Sequence, residues 1–363
     1  MSVERLLNRA REENVLNSVL LELTYACNLD CSFCYNDLNL RGRRLSLADY
    51  KTILDDLAAM RLLHLTLSGG EPLVYRHFFE LGAYARERGF VIKVKSNGVP
   101  LNRRNAARLK AEVDPFLVEM SIHGARAETH DKLTQVPGSF ERLLRNIATL
   151  QAAGLRLRLN STLTRWNEGE VEEMFALCDG MGVSLQFDPE VTPRDDGDLS
   201  PLDIAPSAAG IAHMVRVSLR RGRAAAQAER VPIRLKPAVD KDLKLDPKKH
   251  KVCGAGSTNL IIDPFGNVYP CVQFRRKVGN VHDQSIPEIW TRSVALAEVR
   301  DLAGRALQVA RKEGLTVPDI RVAVRSGDTS TAERQRMVKD MQYAGHGAQL
   351  CQNRLNAAST ARC

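Results

Sequence analysis

Val19-Leu20-Leu21-Glu22-Leu23-Thr24-Tyr25-Ala26-Cys27-Asn28-Leu29-Asp30-Cys31-Ser32-Phe33-Cys34-Tyr35 is the stretch on which the fold turns. Its first six residues are a short apolar run and read as a strand over 19–24. Directly behind it comes a polar loop with three cysteines. Similar apolar runs recur at 63–67, 91–95, 116–122, 155–163 and 183–187. Between them lie helical patterns at 46–60, 77–88, 102–111, 139–153 and 168–179. Ser46 stands where an N-cap belongs, and Gly89 and Gly154 stand where helices end. Strand and helix in alternation predict parallel strands joined by crossover helices, an α/β fold. Six such units in about 170 residues fall short of an eight-fold barrel, so the expectation is a partial (β/α)6 TIM-like barrel. Chemistry in such a barrel gathers at the C-terminal ends of the strands, where the cysteine loop sits.

The rest of the composition bounds the function. At 363 residues with 44% hydrophobic and 26% charged residues, the chain reads as an ordinary globular protein. No run approaches the roughly 18–20 apolar residues of a membrane span, and the charged first residues hold no apolar signal core. A cytoplasmic protein with no membrane partner is expected. The net charge of +9 invites a nucleic-acid reading, but with only 5% aromatics an Arg-rich solvated surface is the better one. Eight cysteines without an export signal argue for metal or iron–sulfur ligation rather than disulfides.

The spacing C-x3-C-x2-C puts three thiolates, Cys27, Cys31 and Cys34, on one short loop. Three thiolates hold three irons of a [4Fe–4S] cube and leave the fourth iron without a protein ligand. A structural zinc site needs a fourth ligand, and no Cys or His lies near enough in sequence to supply it. The loop resembles that of the radical SAM superfamily, including the aromatic before the last cysteine, here Phe33. The resemblance implies a barrel of that type, a [4Fe–4S] cluster and S-adenosylmethionine. In the family the open iron is chelated by the cofactor's amino and carboxylate groups. Its reductive cleavage yields a 5′-deoxyadenosyl radical that abstracts hydrogen from substrate.

Later strand ends extend the likeness. Ser68-Gly69-Gly70-Glu71-Pro72 resembles the family's methionine-binding motif, with Gly69 and Gly70 allowing close approach and Glu71 accepting from an ammonium group. Lys95-Ser96-Asn97-Gly98 resembles the ribose-contacting position. Ser121-Ile122-His123-Gly124 stands where the family often shows Ser-x-Asp-Gly, and Asn160 lies on the fifth strand. Phe33, Gly69, Gly70, Glu71, Ser96, Asn97, Ser121 and Asn160 are thus the implied cofactor-binding set. Polar strand ends are also ordinary caps. His123 reads slightly better as a hydrogen-bonded wall residue than as a reactive imidazole, and Glu119 and Asp188 are further pocket candidates.

Beyond residue 190 the alternation stops. Residues 192–208 read as a loop and 211–223 as one more helix. Residues 220–251 hold eleven Lys or Arg against four acids and read as a solvated linker. Asp263-Pro264-Phe265-Gly266-Asn267 is a hairpin turn between strands at 259–263 and 267–270. Cys253, twelve residues, Gly266, four residues and Cys271 resemble the opening of the SPASM or Twitch extension, which binds auxiliary iron–sulfur clusters. No cysteine falls between 272 and 350, so the likeness is incomplete and implies at most one auxiliary cluster. Its candidate ligands are Cys253 and Cys271, with Cys351 a remote third. Cys178, inside a helical pattern, reads as a core residue. Residues 317–337 faintly resemble part of a large helicase-related protein, but no G-x-x-x-x-G-K-[ST] loop is present. Either the likeness is chance or the tail is foreign.

The expected organisation is an N-terminal segment (1–17), a core barrel (18–195), a basic helical linker (196–252), the extension (253–300) and an atypical helical or disordered tail (301–363). The resemblance implies an enzyme that modifies a peptide or protein side chain, with reduction by an external flavodoxin or ferredoxin. A small-molecule substrate, carbohydrate or cofactor intermediate, is the alternative. An inactive iron–sulfur or nucleic-acid-binding protein is the third reading.

Overall fold

In the computed structural model, which describes residues 3–228, 251, 253–272 and 274–312, each expected strand is present. They are β1 (Ser18–Glu22), β2 (His64–Ser68), β3 (Val91–Ser96), β4 (Leu117–Ser121), β5 (Leu157–Thr162) and β6 (Ser184–Asp188). All pair in parallel in chain order, with Val19 opposite Leu65 and Ser96 opposite Met120. The helices are α1 (Val3–Glu12), α2 (Leu47–Ala59), α3 (Phe78–Glu87), α4 (Arg103–Arg108), α5 (Ala127–Thr134), α6 (Ser139–Ala152), α7 (Val171–Gly180), α8 (Ala208–Ala228), α9 (Ile286–Arg292) and α10 (Val294–Lys312). This is the six-stranded parallel frame of a partial barrel.

The pleat explains why the frame carries a site. Alternate residues such as Leu21, Leu67, Val94, Val118 and Leu159 are fully buried on the helix side. The residues between them, among them Lys95, Glu119, Ser121, Asn160, Thr162 and Asp188, line a cavity. A strand therefore has one apolar and one chemically equipped face. The helices match: α2 buries Tyr50, Ile53, Leu54 and Leu57, one helical stripe. Ser46 caps it, accepting from Asp49 N–H while Asp49 accepts from Ser46 N–H.

The hairpin is present as β7 (Asn259–Ile262) and β8 (Asn267–Tyr269), followed by β9 (Gly279–Asn280). It does not stand apart from the barrel, however. β7 pairs in parallel with β1, Ser18 opposite Asn259, so the order is β6-β5-β4-β3-β2-β1-β7-β8-β9 in one sheet. Without β7 the outer edge of β1 would expose its peptide groups. Leu260 and Ile262 are fully buried there. The turn is built on Asp263, whose side chain accepts from the N–H groups of Phe265 (2.8 Å) and Asn267 (2.9 Å). α9 closes the extension onto the barrel: Ile286 N–H donates to Asp56 of α2, and Trp290 Nε1 donates to the Asn14 carbonyl. Among the described residues no helix is long and apolar enough to cross a membrane. Cys351 and the 317–337 likeness lie outside the described residues.

Candidate active site

The cysteine loop leaves β1 and folds over the C-terminal ends of the parallel strands. Its backbone is held by the end of α5: Asp30 N–H donates to the Thr134 carbonyl (3.1 Å) and Ser32 N–H to that of Leu133 (3.0 Å). A carbonyl-rich helix end thus absorbs the loop's free donors. Cys27, Cys31 and Cys34, with Phe33, line one cavity of about 300 Å³. Gly69, Gly70, Ser96, Asn97, Ser121 and Asn160 line the same cavity, as do Glu119, His123 and Asp188. Residues from the ends of all six parallel strands are brought together.

The donor set fits an iron–sulfur cube. Cys27 Sγ accepts from Leu29 N–H (3.4 Å) and from Asn97 Nδ2 (3.6 Å). Burial pushes all three thiols up, and at Cys31 the neighbouring Cys34 and Cys27 add to it. Three such thiolates are stable together only against a cationic metal centre. Among the described residues no three Cys, His, Asp or Glu groups converge on a single-ion site. A cube asks for something different, one thiolate per iron on separate corners.

Gly69 and Gly70 serve the loop itself. A Cβ on Gly70 would lie 2.6 Å from the Ala26 carbonyl oxygen, and one on Gly69, at φ +140, 2.4 Å from that of Thr24. Gly70 N–H donates to the Thr24 carbonyl and Glu71 N–H to the Ala26 carbonyl. The β1–β2 ladder thereby continues up to Cys27, and the close approach the glycines permit is first of all that of the chain to itself.

Glu71, expected to accept from an ammonium group, is held by hydrogen bonds within the protein. It is fully buried, and its carboxylate accepts from Asn97 N–H (2.8 Å), Leu73 N–H (3.2 Å) and the Ser96 hydroxyl (3.0 Å). Burial raises its carboxyl to about 7 against the lowering pull of those donors. Glu71 therefore meets the cavity through Ser96 and Asn97. Asn97 carries the connection on, donating to Asn28 Oδ1 at 2.9 Å as well as to Cys27.

Across the cavity, Asn160 Nδ2 donates to Glu119 (2.9 Å) while its Oδ1 is buried with no partner among the described residues. Glu119 is nearly buried, which alone would raise its carboxyl, but Lys95, Arg158 and Lys93 outweigh burial and hold it at about 2. His123 packs edge-on against Phe33, ring centres 4.6 Å apart, and stacks on His130. Burial, then His130, keeps its imidazole neutral, well below the ordinary histidine range. Its Nδ1 is buried and has no hydrogen-bond partner among the described residues.

In the extension, Gly256 N–H donates to the Pro270 carbonyl (3.3 Å), which draws the segments of Cys253 and Cys271 together. Both cysteines are half-buried. Sequence reasoning missed a second polar group beneath the loop: Tyr25 and Tyr35 both donate to Glu22, which also takes two hydrogen bonds from Arg275. Glu22, Tyr25 and Tyr35 lie close in the chain, but Arg275 stands 253 positions away, so no local pattern marks the group.

The radical SAM superfamily model matches residues 21–178. An iron–sulfur cluster-binding domain model, SPASM, matches residues 253–312. An AdoMet-dependent heme synthase of Methanosarcina barkeri is 28% identical over 300 residues, covering 79% of this chain and 86% of the relative. The mycofactocin maturase MftC of Mycobacterium ulcerans is 31% identical over 289 residues, covering 77% and 76%. Streptococcus suis SuiB bound to its precursor peptide SuiA has the same fold, with TM-score 0.63, 14% identity and coverage of 82% and 70%.

Proposed function

The chain belongs to the radical SAM superfamily and carries its iron–sulfur SPASM extension, and from that premise we propose that the strand-end cavity is the active site of an enzyme modifying a peptide or protein side chain. The observation that carries the site is the convergence of three cysteines, the Gly69-Gly70 turn and the ends of β3, β4 and β5 on one cavity. Cys27, Cys31 and Cys34 would hold a [4Fe–4S] cluster and the neighbouring strand ends S-adenosylmethionine, which together would supply the chemistry of hydrogen-atom abstraction from substrate.

The chain's own part is to bind, orient and shield. Cys27, Cys31 and Cys34 would hold three irons of the cluster. Gly69 and Gly70 keep the loop tight on β2, and Asn97, fixed by Glu71, steadies Cys27. Ser96, Ser121 and the open Oδ1 of Asn160 give polar contacts for cofactor hydroxyl and amine groups. Phe33 and neutral His123 form a wall that brings no acidic proton to the reacting centre. Cys253 and Cys271 contribute to the auxiliary centre, and an external flavodoxin or ferredoxin supplies the electrons.

A peptide substrate is supported by the maturase MftC among the relatives. The heme synthase likeness supports a second reading, a tetrapyrrole or other small molecule. Deuterium transfer separates them. Anaerobically reconstituted protein with S-adenosylmethionine and reductant is given a deuterated peptide encoded beside its gene, or a deuterated iron tetrapyrrole. Deuterium in 5′-deoxyadenosine from the peptide supports the first reading, and from the tetrapyrrole alone the second. No 5′-deoxyadenosine under any condition refutes the site.

A further inference from the structure

Glu22, the last residue of β1, is fully buried. Its Oε1 accepts from Arg275 Nη2 at 2.6 Å and its Oε2 from Nη1 at 3.1 Å, a fork on a fork. The same oxygens accept from the hydroxyls of Tyr35 and Tyr25, each at 3.2 Å. Arg275 also lies with Nε 3.1 Å from Asp195, whose own N–H donates to the Tyr35 carbonyl. The guanidinium sits 5.2 Å from the Tyr35 ring centre and 5.0 Å from that of Tyr269. Only 12% of its side chain is exposed.

The two tyrosines bracket the cysteine loop. Tyr25 stands just before Cys27, and Tyr35 follows Cys34 directly. Both ends of the loop are therefore fastened to one carboxylate, which is fastened in turn to a cation from the extension. That cation stands four residues after Cys271, in the same short segment as one of the extension's cysteines.

We propose that Arg275 is a positioning residue for the core cluster: from the extension, through Glu22 and Asp195, it sets the separation of the two ends of the loop that carries Cys27, Cys31 and Cys34. The physics is that of a buried ionic group with one partner removed. Without the guanidinium, the fully buried Glu22 carboxylate loses its counter-charge and faces that of Asp195, whose side chain is 19% exposed. Release of either to water drags Tyr25 or Tyr35 along, because those hydroxyls and the Asp195–Tyr35 backbone bond go with it. Lysine restores the charge without the planar fork, so it recovers part of the effect, whereas methionine keeps bulk alone.

The inference rests on the three cysteines holding the cluster, so that is settled first. The full-length parent, reconstituted anaerobically, should carry about four more irons than Cys31→Ala. If it does not, the cluster reading fails, whatever Arg275 does. Then Arg275→Met and Arg275→Lys are compared with the parent by circular dichroism, by iron content, and by the electron paramagnetic resonance spectrum of the reduced protein with and without S-adenosylmethionine. Arg275→Met should keep the parent's circular dichroism, lose the cofactor-induced change in the spectrum, and bind S-adenosylmethionine at least about fivefold more weakly. Arg275→Lys should recover part of both. Should Arg275→Met fail to fold, Arg275→Lys alone is compared with the parent, with a partial loss of both expected. The parent's spectrum and affinity in the methionine variant, or in the lysine variant where that stands alone, would overturn the proposal. So would an Arg275→Lys protein no better than Arg275→Met.

Discussion

A Glu71→Gln protein keeps the volume of the side chain joining β2 to β3 and removes its charge. In the parent, burial raises this carboxyl from 4.5 to about 7. A carboxyl whose folded-state pKa is raised contributes stability in full below pH 4.5, and that contribution is lost as pH rises through 7. The difference of roughly 2.5 units corresponds to about 3 kcal/mol, all of it lost by about pH 8. Glutamine has no such dependence, but it has its own cost. Both carboxylate oxygens accept backbone N–H groups, Leu73 on one and Asn97 on the other. A carboxamide turns its NH₂ towards one of them, leaving a buried donor unmet at about 1–3 kcal/mol. The parent should therefore be the more stable protein at pH 5 by about 1–3 kcal/mol, and the gap should close or reverse at pH 8. Urea midpoints of iron-free parent and variant at the two pH values measure this. A stability difference that is the same at pH 5 and pH 8 would refute the argument, because Glu71 would not be titrating in that window.

Four further experiments follow from the site. Cys31→Ala should lose about four irons and release no 5′-deoxyadenosine, measured by iron analysis and chromatography of the products. Gly70→Ala forces a Cβ to within 2.6 Å of the Ala26 carbonyl oxygen. It should cost about 1–3 kcal/mol in a denaturant titration and lower iron content as well as cofactor affinity, because the loop itself must shift. Cys253→Ala/Cys271→Ala should lose about two to four irons while keeping the core cluster's spectrum. Removal of residues 318–363 in a separate protein reports whether Cys351 shares that centre, since only then does iron fall with the tail.

The barrel was readable because its strands are near-continuous apolar runs and its helices carry stripes and caps, such as Ser46 with Asp49. Two helices were not readable as such. α5 buries His130, Leu133 and Thr134, too polar a face to register as a stripe. α1 lies in the charged opening of the chain, where residues such as Arg9 and Glu13 pair with each other. The parallel pairing of β7 with β1 had no local signature either, since Asn259–Ile262 looks the same as a free hairpin strand. At the site, the residue types and strand ends were legible from spacing. What spacing does not carry is burial: Glu71 reads as an acid able to accept from an ammonium group, and only its neighbours in space show that its oxygens accept from Leu73, Ser96 and Asn97. Glu22 and Arg275, 253 positions apart, could not be paired from sequence at all.

The pairing of β7 with β1 also fixes an order of events during synthesis. β1 is among the first strands made, yet one of its two neighbours arrives more than 230 residues later. Until then its outer edge is an open template, and the loop behind it has neither Arg275 nor the Asp263 turn packed against it. Iron offered to a nascent chain would meet thiols whose surroundings are unfinished. The complete cysteine site is thus available only once residues 259–275 have joined β1, and a chain cut short before residue 259 would keep all three cysteines of the motif while lacking the scaffold that makes them a site.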